Sequence, residues 1–332
     1  MPTDSRPRLE TATVDLKALM RTVEGLLREA TGSDVRISSL ERKKSPFATL
    51  FPAEVLHVTL ADGTSTRLFL KHLGDEDGDH PDKQVRDLEI RVYEMFSGHQ
   101  DLPVVKYYGS SRNRRTGRTE VFLEYLEDWN LKYHDLDHWY CAARRLGQLH
   151  RHFAGHSQLV NDLPRFDATY HHQWAQRALA SVEITASHLA GRLEKVARDY
   201  DSAAQLLGVQ TPTLVHNDLS PKNVIADRSA KPARICFVDW EMAGAGCGLL
   251  DLVHLKYGLQ SEPDRQMREA YLGELRGSGL VPAYEQDVQR LIDACELHSS
   301  MTRLWRNEVW QKPLDVVLQW VTEAEVLWRR IG

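Results

Sequence analysis

Three oxygen-bearing side chains in the second half of the chain are spaced for chemistry. The run Leu214-Val215-His216-Asn217-Asp218-Leu219-Ser220-Pro221-Lys222-Asn223 presents a carboxylate and, five residues on, an amide. Sixteen residues after Asn223 comes Asp239, at the end of the apolar stretch Cys236-Phe237-Val238. A carboxylate within reach of a hydroxyl can act as a general base. An amide carbonyl and a second carboxylate are hard oxygen donors of the kind that hold Mg²⁺. Together the three could align a hydroxyl with a nucleotide's phosphates and neutralise the charge that moves between them. The plain alternative is a turn with Asx capping. The hydrophobic lead-in, the β-pair that follows and the Asp239-Trp240-Glu241 end favour the chemical reading.

Such residues need a scaffold, and the periodicities supply one. Residues 14–30 repeat apolar positions at helical spacing (Leu16, Leu19, Met20, Val23, Leu26, Leu27), with Asp15 as a cap and Gly32 as a stop. Strand-like stretches follow at 35–40, 53–60 and 66–72, the last two joined by the hairpin signal Asp62-Gly63. A loop at 74–82, a helix at 83–96 and strands at 104–109 and 119–126 complete a β-rich first part. Composition changes near Glu127-Asp128-Trp129. Beyond it helices are expected at 135–152, 169–188, 193–207, 249–257, 264–276, 284–310 and 313–331, with a β-pair at 224–226 and 234–238. The domains expected are therefore 1–126 and 127–332, in an α+β chain.

Bulk properties bound the function. The 332 residues, 42% of them apolar, suffice for two modest lobes. A net charge of -5 offers no basic surplus for nucleic acid. The basic run at 112–118 reads as a solvated hairpin tip. Four scattered cysteines form neither a disulfide framework nor a zinc motif, so reduced thiols and a cytoplasmic location are expected. The first residues lack the apolar core of a secretory signal. No stretch approaches the ~20 apolar residues of a membrane helix.

The segments His216–Asn223 and Val238–Glu241, with Leu146-Gly147-Gln148-Leu149-His150 upstream and Asp251-Leu252 downstream, resemble the aminoglycoside phosphotransferase and choline kinase superfamily. The resemblance spans roughly residues 35–255. It implies a two-lobed protein-kinase-like fold, with a small β-rich N-terminal lobe that binds nucleotide and a larger helical lobe that holds the acceptor. It implies ATP and Mg²⁺ as cofactors, Asp218 as catalytic base, and Asn223 and Asp239 as metal ligands. His216 becomes an anchor of the loop. Lys71, on the apolar strand Leu68-Phe69-Leu70, resembles the lysine that clamps the α- and β-phosphates. Its partner would be Glu89, with Glu94 as fallback. The stretch 121–126, with Glu124 and Leu126, resembles the hinge that reads adenine through its main chain. No glycine-rich phosphate loop occupies 45–51; Ser45 and Thr49 are the hydroxyls there. Lys222 is placed to reach a phosphate or to face solvent, and Glu241 to support the metal shell or to lie on the surface. Asp251 would either cap a helix or brace the catalytic loop.

The acceptor is less legible. Only eleven residues, three of them glycine, separate Asp239 from Asp251, too few for a peptide-docking platform, so a small-molecule hydroxyl is expected rather than a protein. Amino sugars or aminoglycoside-like compounds lead, which would make the chain a resistance or a biosynthetic enzyme. Asp293, Glu296 and Glu308 are candidate receivers of ammonium groups. Choline- or ethanolamine-type alcohols follow, with Trp305, Trp310, Trp320 and Trp328 as a candidate aromatic cage or simply helical core, and then other natural-product or sugar hydroxyls. A nucleotide-binding pseudokinase scaffold is the rival of a different class. His134 and His138, at i,i+4, could hold a metal but imply no third ligand.

Overall fold

The computed structural model describes residues 16–45, 52–73, 87–99, 101–113 and 117–332. The chain divides into two compact units, residues 1–98 with 105–127, and residues 99–104 with 128–332. The former carries helix α1 (Leu16–Thr31), strands β1 (Ile37–Lys44), β2 (Ala53–Leu60) and β3 (Ser65–Leu73), helix α2 (Leu88–Phe96), and strands β4 (Tyr107–Arg112) and β5 (Thr119–Glu124). The five strands form one antiparallel sheet in the order β1-β2-β3-β5-β4. The β2–β3 hairpin turns where Asp-Gly stands: Asp62 Oδ1 accepts the Thr64 amide at 2.9 Å, and Gly63 takes φ +86, a conformation glycine adopts without steric cost.

Leu19, Val23 and Leu27 repeat every fourth residue and form one face of α1. That face is buried with Leu56, Leu68, Leu70 and Phe122 of the sheet. Strand alternation then dictates where Lys71 goes: with Leu68 and Leu70 committed to this core, Lys71 projects from the opposite face. The first strand starts later than expected and runs on through Arg42, Lys43 and Lys44. As an edge strand it tolerates charge, and Arg42 is held by Glu54 of β2 at 2.6 Å. The expected strand at 104–109 is also displaced, because Val104 bridges to Phe237 instead of joining this sheet.

The larger unit carries α3 (Leu136–Gly155), α4 (Ala168–Thr185), α5 (Ala190–Arg198), α6 (Asp201–Gly208), β6 (Thr213–Val215), β7 (Val224–Asp227), β8 (Arg234–Phe237), β9 (Gly244–Gly246), α7 (Leu249–Lys256), α8 (Ser261–Leu275), α9 (Glu285–Trp310) and α10 (Leu314–Ile331). Two small antiparallel ladders, β6 with β9 and β7 with β8, hold the segment between α6 and α7. The single helix expected at 193–207 is two helices. At the break Tyr200 is fully buried and its hydroxyl meets His298 Nδ1 at 2.9 Å. Helices α3 and α8 approach closely because position 147 is glycine: a Cβ there would lie 2.8 Å from the Tyr271 carbonyl. Among the described residues no helix is long and apolar enough to cross a membrane.

Candidate active site

The catalytic-loop candidate begins where β6 ends. A single buried carboxylate, Asp251 in the first turn of α7, receives the backbone amides of His216 at 2.7 Å and Asn217 at 2.9 Å. His150 Nε2 adds a third contact at 3.3 Å, and the Tyr271 hydroxyl meets His150 Nδ1 at 2.7 Å. Burial alone would raise the Asp251 carboxyl. The bond and charge of His150, with the charge and amide of His216, outweigh it and hold the group below the usual carboxylate range. Asp251 is therefore a brace for the loop, and the residue before α7 is Gly248. A Cβ on Gly248 would come within 2.5 Å of His150 Nδ1, so glycine leaves room for the brace.

His216 ties the loop to the β8 exit. Its Nε2 meets the Val238 carbonyl at 2.9 Å, its Nδ1 accepts the Asp218 amide at 3.3 Å, and its ring packs on Trp240 at 4.5 Å. Asn217 and Asp239 both take positive φ, +65 and +72. Asn and Asp reach this region at the lowest cost among residues with side chains, and the strain is held by the surrounding bonds. Asn217 Nδ2 also donates to the Tyr170 hydroxyl at 3.1 Å.

Two donors converge on one oxygen of Asp218. Lys222 Nζ lies 3.2 Å and Asn223 Nδ2 3.3 Å from Oδ2, and the same Nδ2 donates to the Asp218 carbonyl at 2.8 Å. Among the described residues Oδ1 of Asp218 takes no hydrogen bond, and the side chain is 29% exposed. With its nitrogen spent on Asp218, Asn223 has its carbonyl oxygen left as a donor atom for a cation. Asp239 follows β8, and carboxylate oxygens of Asp239 and Glu241 lie within 4.8 Å of each other. Amide and carboxylate oxygens are the donor set that suits Mg²⁺.

In the smaller unit Lys71 Nζ and Glu89 Oε2 are 2.7 Å apart, with Lys71 8% and Glu89 2% exposed. Glu124 exchanges bonds with Lys106: its amide donates to the Lys106 carbonyl at 2.8 Å and its Oε2 accepts the Lys106 amide at 2.9 Å. Leu126 is buried just beyond. Ser45 is buried, its amide bound to the Ala53 carbonyl at 2.9 Å. Thr49, the loop at 74–82 and the cap Asp15 lie outside the described residues.

The secondary candidates resolve into ordinary partners. His138 Nδ1 is 2.6 Å from Asp135, and His134 Nε2 is 3.0 Å from the Trp129 carbonyl. Glu296 is held by Lys256 at 2.6 Å, Asp293 lies 3.8 Å from Arg330, and Glu308 is exposed. The aromatic rings near the C-terminus already face protein cations: Arg306 and Lys312 over Trp310, Lys195 over Trp328. Trp305 packs on Trp174 and Trp320 on Trp310. Sequence reasoning missed Tyr170, His254, Tyr257 and Arg303. His254 lies within electrostatic reach of both Asp218 and Arg303. Each is brought in by packing between distant helices, and nothing local in the sequence marks it.

Residues 53–286 match the family model of the phosphotransferase enzyme family, APH. No curated protein matches the chain by sequence. Among solved structures, the GDP complex of wild-type aminoglycoside 2'-phosphotransferase-IIIa is 12% identical with a TM-score of 0.53, covering 94% of this chain and 99% of that one. Macrolide 2'-phosphotransferase from Brachybacterium faecium is 16% identical with a TM-score of 0.56, covering 95% and 98%. Choline kinase LicA from Streptococcus pneumoniae is 15% identical with a TM-score of 0.53, covering 93% and 99%. At such identities the structural likeness speaks for the fold, and the family match, across well over half of the chain, for the chemistry. The chain belongs to the phosphotransferase enzyme family and is a small-molecule kinase with the two-lobed, protein-kinase-like fold.

Proposed function

We propose that this kinase moves the γ-phosphate of ATP, with Mg²⁺, to a hydroxyl of a small molecule, with amino sugars and aminoglycoside-like compounds heading the acceptors. The observation that carries the reading is the division of labour at Asp218. One carboxylate oxygen is fixed by Lys222 and Asn223, and among the described residues the other takes no hydrogen bond. A base so oriented can accept an acceptor's hydroxyl proton at Oδ1 without swinging away from it. Asn223 and Asp239 would hold the metal, with Glu241 alongside. Bound there, Mg²⁺ would supply neutralisation of the charge on the transferring phosphate.

Lys71, fixed by Glu89, would hold the α- and β-phosphates. The main chain around Glu124 and Leu126 would read the adenine edge, and Ser45 and Thr49 would cover the phosphates where a glycine loop is lacking. The site of action would be the cytoplasm, where ATP is held. The choline-like alternative draws little support from the C-terminal rings, because Trp310 and Trp328 already face the chain's own cations.

The test is Asp218→Asn, assayed by ATP consumption over a panel of hydroxyl acceptors. Turnover should fall about 10²–10⁴-fold while nucleotide affinity stays near wild type. Asp239→Ala should also lose the Mg²⁺ dependence of nucleotide binding. Undiminished turnover in Asp218→Asn would remove the base assignment. Nucleotide binding with no acceptor consumed at all would favour the pseudokinase.

A further inference from the structure

A cavity of about 590 Å³ opens in the larger unit, walled by the end of α7, by α9 and by α10. Its lining carries Lys256, Arg303 and Arg330 against Glu296 and Glu323, with Tyr257 between them. The three cations are not equivalent. Lys256 is clamped by Asp264 and Glu296, each at 2.6 Å, so its charge is already matched by two carboxylates. Arg330 is more than half exposed to solvent.

Arg303 is the exception. Its side chain is 12% exposed, and its nearest carboxylate, Glu323, stands off at 3.4 Å. Glu323 is itself shared with Gln319 at 2.8 Å. The other partners of Arg303 are hydroxyls, Ser300 at 2.9 Å and Ser299 at 3.3 Å, and the guanidinium lies 4.1 Å over the Tyr257 ring. Burial pushes its pKa down. A guanidinium this enclosed is normally matched by a carboxylate or phosphate at about 2.7–2.9 Å; among the described residues its carboxylate contact, Glu323 at 3.4 Å, is longer than that.

The same helices reach the catalytic loop. Asp251 of α7 braces that loop, and His254, one turn on, is within electrostatic reach of both Asp218 and Arg303. One turn beyond Arg303 on α9, Arg306 meets Met242, three residues after Asp239, at 3.9 Å. We propose that this cavity seats the body of the acceptor, and that the acceptor carries a carboxylate or phosphate held by Arg303. The assignment rests on the phosphotransfer reading above. An amino sugar qualifies when it also bears an acidic group.

Calorimetry with matched pairs tests it: glucose against glucuronate, and glucosamine against glucosamine 6-phosphate, the second acid distinguishing phosphate from carboxylate. The acidic member of a pair should bind at least tenfold more tightly than its neutral or cationic counterpart. Arg303→Met should lose that preference. Val326→Trp, which adds bulk to the cavity wall and leaves Arg303 itself in place, should weaken the same ligand, and so keeps the test alive if Arg303→Met misfolds. With ATP present, the bound acid should be consumed, and Arg303→Met should raise its KM at least tenfold with kcat within about twofold. Equal binding within each pair, no binding by any member, or a preference unchanged in both variants overturns the proposal. Acid binding that depends on Arg303 with no ATP consumed would leave the site standing and remove the phosphotransfer reading instead.

Discussion

At the residue scale the site depends on carboxylates that are fixed before any ligand arrives. Asp251 takes two backbone amides and His150 in full burial. Asp251→Ala should cost about 3 kcal/mol or more, since it strips buried donors of their acceptor. It should also cut turnover, because the amides of His216 and Asn217 set the path into Asp218. Chemical denaturation and steady-state rates read the two effects separately; wild-type stability would show that the brace is dispensable. Lys71 and Glu89 form the other fixed pair, and a double-mutant cycle with Lys71→Met and Glu89→Gln should give a coupling of about 1–2 kcal/mol in nucleotide binding. Additive losses would mean the two side chains act independently. Asp218, Asn223 and Asp239 stand out as candidates in the sequence because one contiguous loop and its β-pair carry them. Arg303 and Tyr257 do not, because a cation on a ring across two helices leaves no local trace.

At the element scale, α7 joins the parts, and its start is the sensitive point. Gly248 packs against His150, with room for hydrogen only. Gly248→Ala must push the imidazole or the helix aside, and should cost about 1–3 kcal/mol. The damage should reach catalysis, because displacing His150 disturbs Asp251 and through it the loop. An alanine variant with wild-type kcat and stability would show that the His150 contact yields freely. In the sequence the glycine is one of three in a stretch too short for a peptide-docking platform, and nothing local marks its packing role. Only the packing of α3 beside α7 reveals that it makes space. The same limit explains the helix expected at 193–207: its apolar spacing is helical throughout, and the break at Tyr200 answers a tertiary contact with His298. Lys71, by contrast, stands out in the sequence as the lysine on an apolar strand, and strand alternation sets it opposite Leu68 and Leu70 once these are known to face the core.

At the scale of the whole molecule, the two units should respond to acid in different windows. In the larger unit His171 is buried against Tyr170 and His298, the latter also meeting Trp174, and burial pushes its pKa down to about 4, against opposing pulls from Phe166 and Asp167. Burial also lowers His254 and His298. Above about pH 6.5 these imidazoles are neutral in folded and unfolded chains alike, so they add no pH dependence. As pH falls below that value the unfolded chain takes up protons that the folded one refuses, and stability declines until the folded value is passed. For His171 the gap corresponds to about 3 kcal/mol lost between roughly pH 6.5 and 4. In the smaller unit burial would raise Glu54, but bonds from His72 and Arg42 hold it at about 2, so its contribution is present above pH 4.5 and is lost only as pH falls toward 2. All eight tryptophans lie in the larger unit, so their fluorescence follows that unit alone. Urea titrations followed by tryptophan emission should therefore lose stability first, already between pH 6.5 and 4. Hydrogen exchange in β2 and β3 should hold until lower pH. His171→Phe keeps a buried ring but removes the proton site, and should flatten the tryptophan-detected decline by most of the His171 share. A decline of unchanged slope in that variant would place the acid sensitivity elsewhere.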